Sequence, residues 1–283
     1  MAQRGDFGGP PSASLRSVSA AGLATEVKGE GAPVLLAHGL TATRRYVVMG
    51  STVLERSGHR VISFDARGHG ESAPAPSPCA YEYPDLAGDM LAVLEATGTD
   101  RTVVAGASMG AHTAVRLALD HPERVGGLVL VTPAFDPESA QDPEALAWWD
   151  GLAAGLRSGG VEGFMEAYGE PAVDERWRQA AETVIRQRLA RHEHPEAVAD
   201  ALRVVPRSRP FGSLDELARV EVPVVVVADR DEADPGHPLE VGEKWADAFG
   251  CELVVEPPGQ SPIAWQGAKL SEVIAGLAAQ AGR

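Results

Sequence analysis

The feature that most constrains the fold is an alternation of short apolar runs with stretches of helical spacing. Turn residues bound each apolar run, and the segments between runs place apolar side chains three or four positions apart. This pattern is typical of a parallel sheet covered by helices on both faces. We therefore predict an α/β fold with a doubly wound, mostly parallel sheet. The predicted strands are Val34 to Ala37, Arg60 to Phe64, Thr102 to Ala105, Leu128 to Val131, Val222 to Ala228 and Cys251 to Glu256.

One long segment interrupts the alternation. Between Pro133 and Arg219 the sequence contains helical patches and no convincing strand. The patches are Glu144 to Leu156, Glu175 to His192 and Pro195 to Val204. We predict that residues 134–212 form a helical cap inserted between two strands of the core.

The remainder divides into a core and a leader. Residues 15–133 and 213–283 are predicted to form the α/β core. Residues 1–14 are rich in Gly, Pro and Ser and lack the apolar region of a secretory signal, so we expect a flexible leader.

Composition limits the kind of partner. The 283 residues carry a formal net charge of -15, and such an acidic chain repels nucleic acid and anionic membranes. No run approaches the roughly 20 apolar residues of a membrane-spanning helix. The two cysteines, Cys79 and Cys251, suggest no disulfide framework, so we expect a cytoplasmic protein. We expect a small-molecule substrate and no cofactor, and leave the assembly open to a homodimer.

The segment Gly106-Ala107-Ser108-Met109-Gly110 predicts a nucleophile. It follows a predicted strand and precedes a predicted helix that begins near His112, which is the context that gives Gly-x-Ser-x-Gly its meaning. The glycines allow a sharp, strained turn where a Cβ atom would clash, and the turn exposes the Ser108 hydroxyl. We predict Ser108 as the nucleophile.

A second loop is expected to complement this turn. His38-Gly39-Leu40 follows the first predicted strand. We predict that the backbone N–H groups of Leu40 and Met109 form an oxyanion hole.

Several motifs in order resemble the alpha/beta hydrolase fold-1 family, which includes esterase-like, enol-lactonase-like and cofactor-free haloperoxidase-like members. The matching segments are Val34 to Gly39, Phe64 to Ser72, Asp85 to Asp89, Gly106 to Gly110 and the strand beginning at Pro223. The resemblance covers most of the chain from about Leu23 onward, apart from the cap. It implies the alpha/beta hydrolase fold and a triad in the order serine, acid, histidine.

The resemblance implies Asp231 as the acid, with Asp229 and Asp234 as weaker candidates. The family histidine should follow the last strand, where this chain has Gly259-Gln260-Ser261-Pro262. The Gln260 amide cannot accept a proton at neutral pH. Loss of a triad histidine lowers kcat by about 10⁶, so the change is not conservative. Acidic residues and one histidine cluster after the strand that begins at Pro223. Their spacing does not match a calcium-binding loop, and we predict no metal site. The cluster consists of Asp229, Asp231, Glu232, Asp234 and His237.

Three explanations for Gln260 remain open. The chain is a hydrolase of esters, lactones or related carbonyl compounds in which the histidine was replaced, naturally or by engineering. Alternatively, the fold performs a cyclisation, isomerisation or elimination without a serine-histidine relay, or it is a ligand-binding pseudoenzyme. His237 lies close enough to Asp231 in sequence to join a reorganised site, but we prefer its interpretation as an exposed loop residue beside Pro235 and Pro238.

Aromatic residues near the predicted site are candidates for substrate contacts. We predict that Phe135, Trp148 and Trp265 contact the substrate, together with His38 in the oxyanion loop. Arg44 and Arg45 follow that loop and could meet a substrate carboxylate, although exposed arginines are the more common outcome.

Overall fold

The computed structural model describes residues 16–20, 22–259 and 266–281, which contain an eight-stranded sheet. Its strands are β1 (Arg16–Ala20), β2 (Leu23–Lys28), β3 (Ala32–Ala37), β4 (His59–Phe64), β5 (Thr102–Ala107), β6 (Val125–Val131), β7 (Val224–Ala228) and β8 (Glu252–Val255). The strand order is β1-β2-β4-β3-β5-β6-β7-β8. The pairs β1–β2 and β2–β4 are antiparallel, and all other neighbouring pairs are parallel.

Helices cover both faces of this sheet, as the alternation of apolar runs predicts. They are α1 (Val53–Arg56), α2 (Tyr83–Ala96), α3 (Met109–Asp120), α4 (Pro143–Tyr168), α5 (Glu175–Leu189), α6 (Pro195–Val204), α7 (Leu239–Phe249) and α8 (Ala268–Ala281). Helices α2, α3 and α7 share one hydrophobic cluster with the sheet, and α1 and α8 share the other. The doubly wound α/β fold is therefore confirmed. No helix in the described part of the chain is both long and apolar enough to cross a membrane.

Helices α4, α5 and α6 follow β6 and precede β7, and we call them the inserted helices. They have a hydrophobic cluster of their own, in which Leu152, Phe164 and Leu202 are buried. Helix α4 bends at Gly160, whose φ is 58°. The boundaries of the predicted cap at 134–212 stay a prediction, and the predicted leader at 1–14 lies outside the described residues.

Three strands differ from the prediction, the first being β1 at the edge of the sheet, which was not predicted. Strand β2 was absent from the predicted set because its buried and half-buried residues alternate instead of forming a continuous apolar run. The strand predicted from Cys251 to Glu256 begins instead at Glu252, as β8. It lies at an edge of the sheet and is only partly buried.

Candidate active site

Ser108 lies at the sharp turn between β5 and α3. Its φ of 49° and ψ of -114° fall in a region that non-glycine residues rarely occupy, and such strain is concentrated at functional sites. A Cβ atom on Gly106 would lie 2.3 Å from the carbonyl oxygen of Gly110. A Cβ atom on Gly110 would lie 2.2 Å from the carbonyl oxygen of Ala37. The two glycines are therefore required by the close approach of backbone to backbone, as the motif predicts.

A histidine from the loop between β7 and α7 reaches this turn. His237 Nε2 lies 2.9 Å from Ser108 Oγ, and His237 Nδ1 lies 2.7 Å from Asp234 Oδ2. The carboxylate of Asp234 can only accept, so Nδ1 carries the proton and Nε2 presents its lone pair to the serine hydroxyl. The His237 and Asp234 side chains are 26% and 30% exposed. The three side chains form one continuous hydrogen-bonded path.

The structure brings Asp234, and not the predicted acid Asp231, into contact with a histidine. Asp231 Oδ1 accepts a hydrogen bond from the backbone N–H of Leu239, 2.8 Å away, at the start of α7. Its carboxylate therefore satisfies an amide at a helix N-terminus, while Asp234 contacts His237. The interpretation of His237 as an uninvolved loop residue is wrong, because its ring is hydrogen-bonded at both nitrogens within the site. Gln260 lies outside the described residues.

Asp234 and His237 each stabilise the charged form of the other. Desolvation lowers the pKa of His237, but the charge and hydrogen bond of Asp234 outweigh it and leave this pKa above its usual value. Desolvation raises the pKa of Asp234, and His237 more than offsets it, so the net pKa is lowered. The pair is therefore built to hold a carboxylate beside an imidazole that gains a proton readily.

Two further carboxyl groups lie near this pair. Burial, reinforced by the charges of Asp234 and Glu256, raises the pKa of Asp229 to about 7. Burial and the charge of Glu232 raise the pKa of Glu256 to about 7. Within the described ranges, no group of three or more His, Cys, Asp or Glu side chains could hold a metal ion.

The loop after β3 packs against the serine turn. A Cβ atom on Gly39 would lie 3.3 Å from the carbonyl oxygen of Ala107 and 3.4 Å from Ser108 Cβ, so Gly39, the residue before Leu40, lies beside Ser108. Met109 is the first residue of α3, at the positive end of the helix dipole. The assignment of the Leu40 and Met109 amides to an oxyanion hole stays a prediction.

His38 has a different contact from the one predicted. It is buried, its Nε2 accepts a hydrogen bond from the N–H of Ala66, and its Nδ1 donates to the carbonyl of Gly39. Both ring nitrogens are therefore occupied by backbone groups, and the side chain holds the loop instead of meeting a ligand.

The aromatic residues predicted to contact the substrate lie in different environments. Phe135 is buried in an aromatic cluster with His112 and Phe211. Trp148 is 41% exposed on α4 and contacts Trp149 and Tyr168. Trp265 lies outside the described residues. Substrate contacts of Phe135 and Trp148 are untested, although the burial of Phe135 favours a packing role.

The sequence carried a signal for the pairing of Asp234 with His237. In the segment Asp234-Pro235-Gly236-His237, an acid and a histidine stand three residues apart after a strand, and such residues can share one turn.

Comparison with known proteins agrees with the fold. Residues 32–169 match the alpha/beta hydrolase fold family. A putative carbamate hydrolase RutD of Variovorax paradoxus is 35% identical over 144 residues, which cover 50% of this chain and 52% of that protein. A 2-hydroxy-6-oxononadienedioate/2-hydroxy-6-oxononatrienedioate hydrolase of Pseudomonas putida is 32% identical over 191 residues, covering 66% of this chain and 64% of that protein. The chain thus spans less than two thirds of the length of these relatives.

Solved structures align over more of the chain. A thermophilic esterase from Thermogutta terrifontis superposes with a TM-score of 0.77 at 26% identity, covering 96% of this chain and all of that one. An N-acyl homoserine lactone degrading enzyme, Est816, superposes with a TM-score of 0.71 at 25% identity, covering 92% of this chain and 99% of that one. Together with the sheet order and the sharp serine turn, these matches show that the chain has the alpha/beta hydrolase fold.

Proposed function

We propose that this chain is a serine hydrolase that acts on an ester, lactone or related carbonyl substrate through Ser108, His237 and Asp234. The observation that carries the proposal is the hydrogen-bonded path from Ser108 Oγ through the His237 ring to the Asp234 carboxylate. It supplies the base that the sequence around Gln260 lacks. A hydrolase with an intact triad therefore replaces the hypothesis of a hydrolase disabled at Gln260.

The steps follow from these roles. His237 Nε2 takes the proton of Ser108 as the hydroxyl oxygen attacks the substrate carbonyl. The tetrahedral oxyanion is stabilised by backbone N–H groups, for which Leu40 and Met109 are the candidates. His237 then gives the proton to the leaving group, and an acyl-serine forms. Water then attacks the acyl-serine while His237 Nε2 takes its proton. His237 returns that proton to Ser108 Oγ as the acid product leaves.

The relatives support the type of bond. Their names describe hydrolysis of a carbamate and of an oxo-dienedioate, and the superposed structures are described as an esterase and a lactone-degrading enzyme. All of these reactions act at a carbonyl carbon. A carbonyl substrate is the chemistry that they share.

Hydrolysis of short p-nitrophenyl esters tests the proposal, together with labelling of the protein by a fluorophosphonate probe. Ser108→Ala and His237→Gln should each lower kcat by about four to six orders of magnitude and abolish labelling. Asp231→Asn is the matched control, because Asp231 bonds the Leu239 amide and should change kcat by only a few-fold.

The variant Gln260→His separates this proposal from the hypothesis of a hydrolase disabled at Gln260. We expect Gln260→His to alter kcat by no more than a few-fold, because His237 already serves Ser108. A large gain in Gln260→His, with His237→Gln remaining as active as the unsubstituted protein, would show that the base belongs after the last strand and that the proposal is wrong.

A further inference from the structure

Arg188 is a half-buried cation that the proposed triad does not use. It lies in α5 on the face that carries the buried residues Ile185 and Leu189. Its Nε atom is inaccessible to solvent and has no hydrogen-bond partner in the described part of the chain, and its guanidinium makes no ion pair there. Arg186 on the same helix shows the ordinary outcome, since it is exposed enough to pair with Glu162. A buried N–H group without a hydrogen-bond acceptor is costly, and such groups are normally paired.

Arg188 lies near the proposed acid and base. It is close enough to Asp234 and His237 for its charge to lower the pKa of both. Its other titratable neighbours include Tyr46, Tyr168, His38 and His192. Asp234 is already hydrogen-bonded to His237. The positive charge therefore has a neighbour of opposite sign but no carboxylate bound to it.

The end of α5 is fixed to the loops that surround the serine. His192, four residues beyond Arg188, accepts a hydrogen bond from the N–H of Gly70 at Nδ1 and donates from Nε2 to the carbonyl of Thr41. Thr41 directly follows the predicted oxyanion residue Leu40. These hydrogen bonds fix the backbone at the end of α5, about one helical turn beyond Arg188.

Arg44 and Arg45, the arginines predicted from sequence to meet a carboxylate, are less suitable. Arg44 forms ion pairs with Asp65 and Glu71. Arg45 is exposed to solvent. Of these three arginines, Arg188 combines partial burial, proximity to His237 and a guanidinium without an ion pair among the described residues.

We propose that Arg188 binds a carboxylate of the substrate and that the natural substrate is an acidic ester, lactone or related carbonyl compound. A planar guanidinium binds a carboxylate with two parallel hydrogen bonds. This inference rests on the proposed hydrolase function and specifies its substrate class.

Two p-nitrophenyl esters of equal chain length provide the test: the monoester of glutaric acid and the corresponding ester whose free acid is capped as a methyl ester. The unsubstituted protein should prefer the acid substrate in kcat/KM. In Arg188→Met this preference should fall by about 10 to 100-fold, mainly through KM, because a hydrogen bond to a charged group is lost. Arg188→Lys keeps the positive charge but loses the planar pair of N–H donors, so it should retain part of the preference.

Arg186→Met is the matched control, since it removes an arginine from the same helix at an exposed position and should leave the preference unchanged. Circular dichroism checks the fold of each variant, and Arg188→Lys decides the matter if Arg188→Met does not fold.

Three results would overturn the inference: no preference for the acid ester in the unsubstituted protein, the same preference in Arg188→Met, or an equal fall in kcat for both esters. In each of these, labelling of Ser108 by the fluorophosphonate would leave the hydrolase proposal standing. Absence of both labelling and hydrolysis would instead reject the hydrolase proposal, and this inference with it.

Discussion

At the scale of single residues, the base and its acid come from one short turn. His237 donates its backbone N–H to the carbonyl of Asp234, 3.1 Å away, and the two side chains bond each other above the same turn. The orientation of the imidazole is therefore set locally, and only its approach to Ser108 depends on the packing of distant segments. This differs from the family pattern, in which the histidine follows the last strand.

The pH dependence of activity follows from the raised pKa of His237. Only the neutral imidazole can take the serine proton, so kcat/KM should rise with pH through the pKa of His237 in the free enzyme. That acidic limb should lie above the usual value of 6.5. In Asp234→Asn the supporting charge is gone, so the limb should move to lower pH and kcat should fall by about 10⁴. A profile of kcat/KM between pH 5 and 9 measures both effects.

Asp231→Asn serves as the control for that profile, since it also removes one carboxylate from the same loop. An unchanged limb in Asp234→Asn, or an equal displacement in Asp231→Asn, would contradict the assignment of Asp234 as the partner of His237.

At the scale of elements, the serine turn depends on the clearance between β3 and α3. Gly110→Ala should destabilise the protein by roughly 3 kcal/mol, because the new methyl group would overlap the backbone of Ala37 and the rigid strand cannot move away. Gly151→Ala is a matched control within α4, where an added Cβ meets no atom within 4 Å. It should be neutral or stabilise by up to about 1 kcal/mol, since Ala favours helix.

Urea unfolding of both glycine variants measures these differences. Equal stability of the two variants would mean that the turn tolerates a side chain at position 110 and that the backbone approach is not what selects glycine there.

The elements also show the reach of sequence patterns. The continuous apolar runs of β3, β5 and β6 are largely buried on both faces, and these strands were predictable from the sequence pattern. Strand β2 alternates buried and half-buried positions, and its pairing with β4 is antiparallel. Such a strand carries a weaker signal, and it was missed.

At the scale of the whole molecule, buried neutral histidines link stability to pH. His112 accepts hydrogen bonds at Nε2 from the N–H groups of Ala134 and Phe135, and its Nδ1 bonds the hydroxyl of Tyr83. A proton on Nε2 would face two donors. Burial, reinforced by the charge of His237, lowers the pKa of His112 to about 3.

The sign of the resulting pH dependence is set by the unfolded chain, which binds a proton at His112 near pH 6.5 while the folded protein does not. Stability from this residue is therefore full above pH 6.5 and decreases as the pH falls toward 3. Between pH 6.5 and 5.0 the loss should be about 2 kcal/mol. Asp229 and Glu256, with pKa values raised to about 7, have the opposite dependence, so the effect must be measured against a variant.

His112→Gln is that variant, because an amide keeps a donor and an acceptor but does not titrate. Urea unfolding at pH 6.5 and 5.0 should show a smaller loss of stability in His112→Gln than in the unsubstituted protein. Equal losses in the two proteins would mean that His112 is protonated in the fold or does not control its acid stability.

The sequence by itself determined the parallel sheet, the helices on its two faces and the serine turn. Each of these depends on local hydrophobic spacing or on local steric demands, which adjacent residues encode. Only the tertiary structure decided which groups meet Ser108. His237 lies 129 residues further along the chain, and Asp231, Asp234 and His237 share one acidic loop whose turn geometry selects among them.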